Sequence, residues 1–170
     1  MAVALNKFSL TVSLLSEIIN ALDLSTTTDK IERNDNYTFT DGAAASMIDT
    51  HWSDERTLAA SATEDLDLAG GLTDAFGTAI TFARVKVIII IAASGNTNNV
   101  QVGGAGSTFI NWVANSSDIV NIRPGGILVL VAPDATGYAV TATTGDLLRI
   151  GNSAAGTSVT YKIYIGGSLT

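Results

Sequence analysis

The 170-residue chain has no cysteine, two prolines and one histidine, and each scarcity closes a route. Without cysteine there is neither a disulfide scaffold nor a thiolate metal site. With His51 alone, a histidine-rich zinc centre is excluded, and a Ser-His-Asp triad would have to assemble around one residue in a weakly patterned segment. No Gly-x-Ser-x-Gly elbow accompanies it, so the expected role of His51 is packing or hydrogen bonding beside Trp52. Charge is also sparse, at 15% of residues against a typical quarter. Thr, Ser, Asn and Gly fill many polar positions, which makes a surface that is cheap to desolvate. The first 24 residues hold one lysine and no compact apolar core, so they do not read as a signal peptide. No apolar run is long enough to span a bilayer, and no membrane association is expected.

What charge there is lies unevenly. Residues 1–70 carry twelve acids and four bases, while residues 71–170 carry four acids and five bases. This argues against a nucleic-acid partner, which needs a basic stripe, and permits docking of the first part on a basic surface.

The strongest pattern is Ile80–Ser94. Phe82, Arg84 and Lys86 alternate with Ala83, Val85 and Val87, as in a strand with one wet and one dry face. Ile88–Ile91 then runs dry on both faces, the mark of a strand ending inside a sandwich or under a neighbouring subunit. Short strands and glycine or asparagine turns recur after it. Pro124-Gly125-Gly126 predicts a hairpin between Asp118–Arg123 and Ile127–Ala132. Further strands are expected at Leu147–Ile150 and Ser158–Ile165, and this spacing implies a sandwich or barrel. Residues 7–22 are ambiguous: Phe8, Leu10 and Val12 alternate, whereas Leu14, Leu15, Ile18, Ile19 and Leu22 fall at helical spacing, predicting a strand that hands over to a short helix. Ser25–Asp29 and Asn34–Asn36 read as loops, and an arm or long excursion is expected before Arg56.

Candidate chemistry is thin. Glu64, Asp65 and Asp67 could hold a hard cation, but alternation with Leu66 and Leu68 predicts a solvated strand face. Gly104 and Gly106 start a dinucleotide fingerprint that lacks its closing glycine, since Phe109 stands there, and its helix, so Gly103, Gly104 and Gly106 predict a tight turn before a strand at Phe109 and Ile110. No catalytic residue, metal ligand or cofactor is expected.

The stretches Arg56–Gly71 (RTLAASATEDLDLAGG), Leu72–Ala83, Gly125–Gly137 (GGILVLVAPDATG) and Gly156–Tyr161 resemble, in order and spacing, a family of small virion-associated proteins of tailed bacteriophages. The resemblance implies a structural protein of the virion and supplies no catalytic residues. The expected fold is all-β, a jelly-roll-like antiparallel β-sandwich over residues 53–170, with an N-terminal arm or lattice-contact segment over residues 1–52. The expected role is a non-enzymatic capsid decoration (cement) protein on the outer surface of a phage head, with the major capsid protein as partner and self-association as a homotrimer by analogy with three-fold capsid positions. A tail or fibre accessory protein whose sandwich binds a host glycan or another tail protein is the alternative. A carbohydrate-active enzyme or lectin unrelated to virions is a third.

Overall fold

The computed structural model describes residues 5–170, so residues 1–4 of the expected arm lie outside it. Among the described residues there are thirteen strands and no helix.

β1 (Phe8–Ala21) and β2 (Thr26–Phe39) form one antiparallel hairpin. Its register runs from Phe8 opposite Phe39 to Ala21 opposite Thr26, and Leu22 N–H closes the turn on the Ser25 carbonyl at 2.8 Å. Fourteen residues per strand make it roughly 45 Å long. The helix expected over Leu14–Leu22 is absent. β-Branched Thr11, Val12, Ile18 and Ile19 in β1, and Thr26–Thr28 and Ile31 in β2, favour extended backbone, and the second strand satisfies the backbone that a lone helical turn would leave unsupported. Asn34–Asn36 lies inside β2 for the same reason: a partner strand supplies the bonds their side chains would otherwise compete for.

The rest is an eight-stranded sandwich. One sheet has the order β10 (Ile127–Val131), β7 (Arg84–Ala92), β13 (Val159–Ser168), β3 (Thr50–Leu58). The other has the order β4 (Thr63–Asp67), β12 (Leu147–Asn152), β8 (Val100–Gly103), β9 (Ile119–Ile122). Numbered within these eight, the first strand pairs with the last, which also pairs with the third, while the second pairs with the seventh, which also pairs with the fourth. That order is a jelly roll. The small hairpin β5 (Ala69–Thr73) and β6 (Ala79–Thr81) is inserted between β4 and β7, and β11 (Tyr138–Ala139) extends the β10 side of β7.

This topology corrects the expected hairpin at Pro124. The turn exists, with Gly125 at φ 74° and Gly126 N–H bonded to the Arg123 carbonyl at 2.8 Å. It joins β9 to β10 across the two sheets, however, so its flanking strands pair with β8 and β7 and not with each other. The run Ile80–Ser94 is likewise divided, between β6 and β7.

The sheets enclose one core in which Ile88, Ile90, Ile163 and Ile165 meet Leu66, Val102, Leu148 and Ile150. Alternation puts Val87, Ile89 and Ile91 on the outer face of the first sheet. There a second cluster forms, with Val87 packed among Phe39 and Ile48 and flanked by Phe8, Leu10, Tyr37, Ile89 and Val131. Phe8 and Phe39 meet edge to face at 5.8 Å. Gly166 opens the space for this root, since a Cβ there would lie 3.1 Å from Ile48 Cδ1 and 3.3 Å from Phe8 Cε2.

A bulge breaks the β7–β13 ladder: Gly166 faces Val87 and Gly167 faces Val85, leaving Lys86 unpaired between them. Lys86 is therefore not on a wet face as its alternation predicts. It is fully buried, and its ammonium group donates to the carbonyls of Ala43, at 3.3 Å, and Ala44. Desolvation, and then the nearby Arg84, hold its pKa below the ordinary lysine value. The bonds moor the loop between β2 and β3, and with it the hairpin root, to the sandwich. Residues 40–49 thus fold back on the sheet, and Thr50–Trp52 begins β3.

Candidate docking surface

Beyond its root the hairpin carries large apolar side chains that nothing covers. The register assigns them to faces. Val12, Leu14, Ile18 and Ile31 continue the face of Phe8, Leu10, Tyr37 and Phe39, whereas Leu15 and Ile19 lie on the opposite face. Leu22 and Leu24 form the tip. Ile18 is 67% exposed, Leu15 64% and Leu24 fully exposed. Scattered exposed leucines are ordinary, but a row of exposed aliphatic residues along one strand marks a contact surface, here one whose β2 side carries Asp35, Arg33 and Asp29 opposite Val12, Leu14 and Ile18. Burying each such side chain is worth about 1.5–3 kcal/mol.

The hairpin holds Glu17, Asp23, Asp29, Glu32 and Asp35 against Lys30 and Arg33. Arg33 grips Asp35 through two bonds of 2.7 and 3.1 Å, and this hydrogen-bonded pairing lowers the Asp35 pKa. Lys30 pairs with Glu32 at 2.9 Å. Both partners of each pair are solvated, so the pairs add little stability.

A second apolar area lies on the outer face of the first sheet. Cross-strand neighbours form two rows there: Ile127, Ile91 and Lys162, then Val129, Ile89 and Tyr164. Ile127 is 59% exposed and Tyr164 41%. Ile89 and Ile91 are half-buried. The isoleucine run is dry on both faces in chemistry, yet only its inner face is fully enclosed.

The residues singled out for chemistry are dispersed. His51 is exposed, in an open groove with Lys7, Asp49, Asp74 and Phe76. The three carboxylates of β4 diverge. Asp65 is held by Arg149 through two bonds of 2.7 and 2.8 Å, which lower its pKa. Asp67 accepts from Ala69 N–H at 2.8 Å. Glu64 turns inward to accept from the buried Tyr161 hydroxyl at 2.6 Å and from Arg56 at 2.7 Å. Among the described residues no group of three His, Cys, Asp or Glu could hold a metal ion. The glycine loop is a tight turn, with Gly103 at φ 109° and the Gly104 carbonyl accepting from Arg149 at 3.0 Å. Phe109 is buried but belongs to no strand.

Sequence reasoning missed the Tyr161–Glu64–Arg56 cluster, in which Asp54 adds a further bond to Arg56 at 3.0 Å. The available signal was a tyrosine on the apolar face of β13, which must find a partner for its hydroxyl. Burial, and then the bond to Glu64, push the Tyr161 pKa far above its ordinary value. The folded chain keeps a proton that an unfolded phenol releases near pH 10, so this contribution is complete below about pH 10 and is lost as pH rises beyond it. Denaturant midpoints should therefore fall between about pH 9 and 11, and less so in Tyr161→Phe, which should cost about 2 kcal/mol at neutral pH. Equal slopes in the two proteins would mean that the phenol does not hold its proton.

No helix among the described residues is long and apolar enough to cross a membrane. No family model, curated protein or solved structure matches the chain.

Proposed function

We propose that the chain is a structural protein of a tailed-phage virion: a capsid decoration protein that binds the outside of the assembled head and stabilises it by bridging subunits of the major capsid protein. The observation that carries this reading is the projecting hairpin, whose exposed aliphatic residues await burial in an assembly. The jelly roll alone is compatible with many functions. The resemblance of Arg56–Tyr161 to virion proteins supplies the setting. Leu15 and Ile19 on one hairpin face, with Leu22 and Leu24 at the tip, insert between capsid subunits, and the acidic excess of the hairpin suits a basic seat. Binding that exists only on the closed shell adds free energy to the shell and not to its separated parts, and so opposes disassembly.

The test compares the full chain with a variant in which residues 12–35 are replaced by Asn-Gly, a two-residue turn that keeps Phe8, Leu10, Tyr37 and Phe39 in place. The full chain should co-sediment with empty heads and raise their disassembly temperature. The shortened variant should fold and fail to bind. Equal binding by both would show that the hairpin is not the docking element, and binding by neither would end the decoration reading.

A further inference from the structure

The hairpin face that bears Val12, Leu14, Ile18 and Ile31 has a matching surface within the same chain. At its root this face already packs on the outer side of the first sheet, where Phe8 and Leu10 join the cluster around Val87, with Ile89 and Val131 beside them. Beyond the root both halves continue without a partner: the hairpin as an exposed aliphatic row along β1 with Asp35, Arg33 and Asp29 beside it on β2, and the sheet as Ile127, Val129, Ile91 and Tyr164 with Lys162 among them. The hairpin projects away from its own sheet, so its distal strip does not cover that area. A second copy of the chain offers the aliphatic row of β1 the chemistry its own root already uses.

We infer that copies of this protein exchange hairpins, each laying its distal strip on the outer sheet face of another copy and receiving a hairpin in turn. Size decides for exchange over a single contact. About 30 Å of hairpin lies beyond Leu10, and two strands about 5 Å apart present roughly 300 Å² on one face. One such contact removes about 600 Å² counting both sides, the scale of incidental packing, whereas two reciprocal contacts remove about 1,200 Å², the lower bound of stable, specific interfaces. The exchange rests on reading the hairpin as a docking element, and it assigns the two faces differently: the Leu15 and Ile19 face to the shell, the Leu14 and Ile18 face to another copy.

The test uses full-length chains carrying substitutions at exposed positions, so that folding is preserved. The donor variant carries Leu14→Asp and Ile18→Asp, and the acceptor variant carries Ile127→Asp and Tyr164→Asp. Circular dichroism and melting of both should match the wild type. By light scattering, the wild type at about 100 μM, a hundredfold above a micromolar Kd, should exceed the mass of one chain. Each variant alone should run as a monomer, and so should their mixture, because it offers one intact contact and not the reciprocal pair. A monomeric wild type overturns the exchange, as does either variant keeping the wild-type mass, or a mixture that regains it through one contact. Head binding is read separately with Leu15→Asp/Ile19→Asp, which should keep the wild-type mass and lose the shell. A wild type that binds heads as a monomer defeats the exchange and leaves decoration standing, and an exchanged oligomer that ignores heads does the reverse.

Discussion

Ile90→Asp is expected to abolish soluble folding. The side chain is completely buried between Ile163 of β13 and Leu128 of β10, its cross-strand neighbours, on the inner face of the first sheet. A carboxylate placed there meets only aliphatic cross-strand neighbours. An unpaired buried charge costs several kcal/mol even after the group takes up a proton, a large part of a typical stability of about 5–15 kcal/mol. The neighbouring Ile89→Asp should be milder, because Ile89 faces outward and is only half-covered. Soluble yield and thermal melting of the two variants test the assignment of faces. Equal damage from both would mean that the outer face is as closed as the inner.

Gly167→Ala is expected to cost about 3 kcal/mol, the upper end of overpacking effects. A methyl group there would lie 2.3 Å from the Arg84 carbonyl oxygen, 2.9 Å from Phe82 Cδ1 and 3.1 Å from Val85 Cα. Two of these three atoms are backbone, so no side-chain rotation relieves the clash. The bulge would have to open, and Lys86, which sits in it, would be displaced from the carbonyls of Ala43 and Ala44. Gly95→Ala is the control, since its added methyl meets nothing within 4 Å. The expected result is a lowered denaturant midpoint with unchanged slope for Gly167→Ala and little change for Gly95→Ala. A small loss at Gly167 would show that the bulge is pliable and does not lock the loop.

Much of the sandwich was legible because its strands obey a local rule. Alternation in Val159–Ile165 and the unbroken Ile88–Ile91 report burial directly, and glycine and asparagine mark the turns. What alternation cannot report is which strand lies beside which. The Pro-Gly-Gly turn has the same local chemistry whether it joins partners in one sheet or passes between two, and only the closure of the whole jelly roll separates β9 from β10. Lys86 was misplaced because a bulge shifts the two-residue period without leaving a mark in the sequence beyond the paired glycines of another strand, Gly166 and Gly167. The hairpin was half-legible for a related reason. Leu14, Leu15, Ile18 and Ile19 fit a helix as well as a strand with apolar residues on both faces, and the start of the deciding partner, within Ser25–Asp29, reads as a loop when taken alone. The Glu64–Tyr161 contact spans 97 positions of sequence, beyond any local signal.

The central place of β13 sets an order on synthesis. β13 stands between β3 and β7, so those two strands have nothing to pair with each other through until β13 has left the ribosome. Strand pairings of such long sequence separation form slowly, and incomplete sheets expose aggregation-prone edges. The β1–β2 hairpin has the opposite character: its contacts are local, it is made before the sandwich, and hairpins close within microseconds once synthesised. During translation the nascent chain therefore displays a zipped, apolar arm while its sandwich is still open. Neighbouring chains on one polysome would meet arm first, and a chaperone or partner that covers the arm would act before the sandwich exists.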